Sequence, residues 1–127
     1  MEDSKKLHEE ILHFVKKEFK GILDNSDQAI YIYVCDKHKI ANKKFLSMLG
    51  YSSIEEWENK DSMLSDVNEK EQGVLVSHYR AAMEKMTGSS FVLSWKNKSG
   101  SLIKTNVILV PLSYKGELFA MHFITKL

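Results

Sequence analysis

The last third of the chain constrains the fold most. Ser90–Lys96 (SFVLSWK), Leu102–Leu112 (LIKTNVILVPL) and Leu118–Thr125 (LFAMHFIT) are rich in β-branched and aromatic residues, and Lys98-Ser99-Gly100 and Tyr114-Lys115-Gly116 separate them as turns. Three such runs predict an antiparallel meander. Phe91, Leu93 and Trp95 alternate onto one face, and so do Phe119, Met121 and Phe123. Both faces of the sheet therefore need an apolar cover. With 127 residues the chain is one ordinary domain with a single core over that sheet.

The remainder supplies the cover. From Asp3 to about Leu23 the apolar residues Leu7, Ile11, Phe14, Val15, Phe19, Ile22 and Leu23 recur at spacings of three and four, which predicts one amphipathic helix ended by Asp24-Asn25-Ser26-Asp27. Ala29–Val34 (AIYIYV) reads as a strand, and a second short strand follows around Lys39–Ala41. Asn42 is placed to cap a helix carrying Phe45, Leu46, Met48 and Leu49, which Gly50 ends. Ser53 with Glu56, and more loosely Asn68 with Glu71, mark two further helix starts. The second opens a long helix over Glu69–Met86, with Leu75, Tyr79, Ala82, Met83 and Met86 on one stripe and Gly88 as its end. The order is helix, two strands, a run of helices and three strands, an α+β arrangement with helices packed on one side of an antiparallel sheet.

Composition narrows the function classes. Eighteen basic and 17 acidic residues nearly cancel, so no field favours nucleic acid. Lys37, Lys39, Lys43 and Lys44 form a short basic cluster that reads as a solvated face. No stretch approaches the roughly 20 apolar residues of a membrane span, and Met1–Lys6 is not a signal peptide. Cys35 is the single cysteine, which excludes an internal disulfide and suits a soluble, cytoplasmic protein.

Over residues 19 to 126 the sequence resembles the PAS (Per-Arnt-Sim) family. Phe19–Ile30 (FKGILDNSDQAI) is similar to that family's entry helix and first strand. Ile40-Ala41-Asn42-Lys43-Lys44-Phe45 with Leu49-Gly50-Tyr51-Ser52 resembles its "I-x-N-x-x-F…L-G-Y-S" segment, followed by the acidic Glu55 and Glu56. Lys98-Ser99-Gly100-Ser101 resembles its "K-D-G-S" turn, and Val110-Pro111-Leu112 and Gly116-Glu117 stand where the family expects them. Ser99 departs mildly from the usual Asp. The family's terminal "D-I-T" meets Phe123-Ile124-Thr125 here, without the acidic member, and the chain ends at Leu127. The resemblance implies a five-stranded sheet whose concave face, closed by helices, forms a ligand pocket or a filled core. It also implies a domain at 19–127 preceded by an amphipathic flanking helix at 1–18, and a stand-alone module that signals in trans.

The residues expected around the pocket are Ile32, Phe45, Leu75, Tyr79, Met83, Leu93, Trp95 and Met121. Leu7, Ile11, Phe14 and Val15 are expected to meet either the outer face of the sheet or a second subunit, since they otherwise lack a partner. Cofactor chemistry finds little support. His78 lies on the long helix where haem-binding relatives carry their ligand, but about 80° from the centre of the apolar stripe at 100° per residue, and the family's histidine aligns nearer Gln72. The flavin-adduct helix "N-C-R-F-L-Q" meets Asn42-Lys43-Lys44-Phe45-Leu46-Ser47, with lysine at the cysteine position. Non-covalent flavin stays open.

Metal and catalytic patterns are also weak. His8 and His13 are five apart, which turns their directions by about 140° on a helix, so they cannot share one ion. Cys35, Asp36 and His38 cluster on a tight turn with no fourth ligand in view. No nucleophile-elbow, Walker or dinucleotide pattern occurs. The expected function is a non-enzymatic sensory or protein-interaction module, dimeric, binding a small ligand or a partner protein. A haem- or flavin-binding redox or gas sensor, and a small α+β enzyme using His78, Tyr79 or His122 in a buried cavity, are the alternatives.

Overall fold

The computed structural model describes the backbone of residues 2–127 and the side chains of residues 4–127. In chain order the elements are α1 (Glu2–Glu18), α2 (Lys20–Asn25), β1 (Ala29–Cys35), β2 (His38–Ala41), α3 (Lys43–Leu49) and α4 (Ile54–Glu58). Two 3-10 turns follow at Met63–Asp66 and Glu69–Glu71, then α5 (Gln72–Lys85), β3 (Ser89–Lys96), β4 (Leu102–Tyr114) and β5 (Glu117–Lys126). The strands form one antiparallel sheet in the order β2-β1-β5-β4-β3. The first and last thirds of the chain thus meet at the centre, where Tyr31 of β1 faces His122 of β5.

Local chemistry explains most boundaries. Asn42 accepts the Phe45 N–H at 3.0 Å as the α3 cap, and its side chain also accepts from Ile30 N and donates to Gln28 O, joining the helix start to β1. Gly50 ends α3 in the left-handed region (φ 86°). Ser53 caps α4 by accepting from Glu56 N, while the Glu56 carboxylate accepts from the Ser52 backbone and from Lys98. The β4–β5 hairpin turns on Lys115 and Gly116, both at positive φ.

The expected long helices are shorter than their periodicity. The N-terminal one bends at Phe19 (φ −104°, ψ 9°), although Phe19 N to Val15 O and Leu23 N to Phe19 O, each 2.9 Å, carry the ladder across. The bend turns Leu23 into the core and leaves Ile22 exposed. The second long helix begins at Gln72, because the Asn68 amide donates to the Glu71 carboxylate and does not cap the backbone. It ends at Met86, not Gly88: Met86 takes the left-handed conformation (φ 52°). Gly88 serves a close approach, since a Cβ there would lie 3.2 Å from Leu109 O.

The sheet is covered on both faces. On the inner face α3, α4, the 3-10 turns and α5 enclose a core that includes Tyr31, Phe45, Trp57, Leu75, Leu93 and Trp95. On the outer face α1 and α2 lie over Ile30, Ile32, Val34, Ile40, Phe119 and Met121, with Ile11 and Val15 fully buried between. Helices on one side alone would have left this second apolar face in water. Burying a side chain such as Ile11 or Val15 contributes about 1.5–3 kcal/mol, so α1 is held by its own sheet.

Candidate functional site

Against the inner core lies a small cavity of about 100 Å³ lined by residues from five elements. Tyr31 and Tyr33 of β1, and His122 of β5, form its floor. Leu75, Val76 and Tyr79 of α5 form one wall, Ser62, Met63 and Leu64 form a flap, and Asp36 stands at the β1–β2 turn. The lining is mainly apolar, with a few convergent polar groups, the pattern of a small-molecule site.

Two of those groups are unpaired. Tyr31 and His122 are fully buried and stack with ring centroids 3.9 Å apart, yet among the described residues neither the Tyr31 hydroxyl nor His122 Nδ1 has a hydrogen-bond partner. Burial lowers His122 to about 3 and pushes the Tyr31 phenol well above its usual range. Burial likewise raises Tyr33 and Tyr79, whose rings meet edge to face at 5.3 Å. The aromatic and imidazole groups around the cavity are therefore held neutral.

Buried charge stiffens the surroundings. Tyr51 donates to Asp66 Oδ1 at 2.6 Å, and Lys60 Nζ reaches the same oxygen at 3.2 Å. Gln72 donates to Leu64 O at 2.8 Å. Together these hold the Ser62–Leu64 flap at both ends. Lys39 is not part of a solvated basic face: it is 1% exposed. Its ammonium donates to Asp36 O (2.5 Å) and Lys60 O (3.1 Å) and lies 5.4 Å from the Trp57 ring centroid. Burial lowers its pKa.

Of the expected pocket residues, Leu75 and Tyr79 line the cavity. Phe45, Leu93 and Trp95 fill the packed core beside it, and Met83 packs against that core. Ile32 and Met121 do not belong to the pocket. They are paired across β1 and β5 on the outer face, beneath α1. The alternation of β1 requires this: once Tyr31 points inward, Ile32 points outward. Leu7, Ile11, Phe14 and Val15 all pack in that outer cluster.

The cofactor candidates do not converge on the cavity. His78 Nδ1 is 2.9 Å from Ser89 Oγ, and its ring stacks on Phe91 at 4.1 Å. Lys43, at the flavin-cysteine position, is exposed. A volume of about 100 Å³ falls below the roughly 300–1,000 Å³ of drug-sized ligand pockets; haem or flavin would have to displace Tyr31, Trp57 or Trp95. His13 is exposed, whereas His8 is half-buried. His122 lines the cavity, as the enzyme alternative placed it, whereas Tyr31 and Tyr33 read as core in the sequence because aromatic residues in strands do; the aromatic pairing of AIYIYV against LFAMHFIT is the signal that points to them.

An antiparallel five-stranded sheet in this order, wrapped by short helices on its inner face, defines an α+β domain. The chain has the PAS fold. It is similar to the PAS domain of a protein from Colwellia psychrerythraea at 17% identity, covering 90% of this chain and 97% of that one with a TM-score of 0.73. The PAS domain of an HTR-like protein from Haloarcula marismortui matches at 17% identity over 96% and 99% of the two chains (TM-score 0.66). The Cycle PAS-B domain of Drosophila melanogaster, with bound ethylene glycol, matches at 10% identity over 78% and 99% (TM-score 0.67). No family model and no curated protein matches the sequence. Among the described residues no helix is long and apolar enough to cross a membrane.

Proposed function

We propose that this domain is a non-enzymatic sensory module of signal transduction that binds a small, hydrogen-bonding, largely apolar molecule in the cavity beside Tyr31 and His122. The observation that carries this reading is a mainly apolar cavity whose floor residues Tyr31 and His122 hold buried polar atoms with no hydrogen-bond partner among the described residues. Each unsatisfied group costs about 1–3 kcal/mol, and a ligand that pairs them recovers that energy. The small diol bound in the Drosophila domain of similar fold is of the size this cavity suits.

Catalysis is the weaker reading. A histidine held near 3 is too poor a base for proton transfer at neutral pH, and Ser62, the hydroxyl in the flap, accepts from Leu64 N in a local turn. A partner protein or a second copy docks on the outer strip beyond α1, where Val92 and Ile108 are exposed. The free thiol of Cys35 suits a reducing, cytoplasmic setting.

The test is an NMR titration of the full chain with ethylene glycol, phenol and indole. Saturable shifts centred on Tyr31, Leu75, Tyr79 and His122, weakened several-fold by Tyr31→Phe, are expected. No saturable shift at these residues with any probe would overturn the reading.

A further inference from the structure

Outside the cavity, α1 brings His8 against two metal-ligating side chains of the β1–β2 hairpin, Cys35 and His38, that stand far along the chain from it. One donor atom each from His8, Cys35 and His38 lie within 4.8 Å of one another. Cys35 Sγ and His38 Nδ1 are already 3.2 Å apart. That is inside the edge of about 3.6 Å expected between sulfur and nitrogen on a tetrahedral zinc with bonds of about 2.3 and 2.0–2.1 Å. The His8 and His38 rings meet edge to face, centroids 5.6 Å apart. All three residues are half-buried, which leaves a path for an ion.

The backbone aims them there. The β1–β2 register slips between Tyr33 and Cys35, and a bulge of this kind re-aims the side chains beyond it. His38 opens β2, and His8 projects from α1, which is fixed over the hairpin by Ile11 and Val15. Glu117 Oε2 lies 2.9 Å from His8 Nε2, close enough to orient the ring as an outer partner or to supply an oxygen ligand.

We propose that His8, Cys35 and His38 form a binding site for a borderline transition-metal ion, of which Zn2+ is the expected occupant, and that the ion ties α1 to the β1–β2 hairpin. The donor set decides the class. One thiolate and two imidazoles favour zinc, cobalt or copper over magnesium and calcium, which take oxygen. Three protein ligands leave the fourth tetrahedral position to Glu117 or water. Binding displaces the Cys35 thiol proton to solvent, so affinity rises with pH. Because Asp36, next to Cys35, lines the cavity, the ion also braces the cavity's edge.

Titration of the reduced full-length chain with Co2+, followed by absorbance, tests the site. The expected result is one Co2+ per chain with a thiolate-to-cobalt charge-transfer band and tetrahedral visible bands, both removed by Zn2+. Cys35→Ser abolishes the charge-transfer band, and His8→Gln and His38→Gln each weaken binding by about tenfold or more. His13→Gln leaves binding unchanged. Far-UV circular dichroism identifies any variant that fails to fold; for such a position, alkylation of Cys35 in the parent chain, blocked by Zn2+, is the second readout. No saturable Co2+ spectrum would overturn the proposal, as would a spectrum that His8→Gln leaves unchanged, since the hairpin alone would then hold the ion.

Discussion

Tyr31 and His122 face each other from the two central strands, their rings 3.9 Å apart and nearly parallel at 11°. The pair is wholly buried, so the imidazole is kept neutral by the loss of solvent around its charged form.

His122 therefore makes stability depend on pH. Its folded value, about 3, lies below the ordinary 6.5, so between those values the unfolded chain binds the extra proton. The contribution is complete above pH 6.5 and is lost as pH falls toward 3, with a slope of up to about 1.4 kcal/mol per pH unit. Urea unfolding between pH 7.5 and 5 should show this slope. His122→Phe should flatten it by close to one proton; an unchanged slope would show that other groups dominate.

Ile11 tests what holds α1. It is fully buried against the outer face of its own sheet, so Ile11→Ala should cost about 2–5 kcal/mol. The loss should be independent of protein concentration in denaturant titrations. If the helix instead bound mainly to a second copy, the loss would scale with concentration and sedimentation would report a change in mass.

Tyr51→Phe should loosen the flap without unfolding the domain. The lost hydroxyl donates to the buried Asp66 carboxylate at 2.6 Å, a charge-assisted bond contributing about 1.5–3 kcal/mol. Hydrogen exchange at residues 62 to 66 should quicken, while β4 and β5 stay protected. Equal exchange rates in both proteins would remove the flap from the account.

Met86 and Gly88 should respond in opposite directions. Met86, exposed and left-handed at φ 52°, adopts a conformation that costs a side-chain-bearing residue about 1–2 kcal/mol. Met86→Gly should therefore be neutral or raise the midpoint of thermal unfolding. Gly88→Ala sets a Cβ 3.2 Å from Leu109 O and should lower it.

Much of the fold was legible in the sequence because its signals are local. The meander, the Asn42 cap, the Ser53 cap and the Gly50 terminus all depend on a few neighbouring residues, and each appears where its chemistry places it. The site was less legible. Ile32 and Met121 look like pocket residues because they are apolar strand residues, but only the β1–β5 register shows which face they occupy. Lys39 reads as surface until the Asp36 and Lys60 carbonyls are seen around its ammonium.

By itself, then, the sequence determined the strands, the caps at Asn42 and Ser53 and the need to cover two apolar faces, since periodicity and turn chemistry act over short spans. Only the tertiary structure decided that α1 is the outer cover, that Tyr31 and His122 share one cavity, and that His8 joins Cys35 and His38. Those relationships join positions tens of residues apart, and strand register and helix docking, which no local pattern encodes, set them.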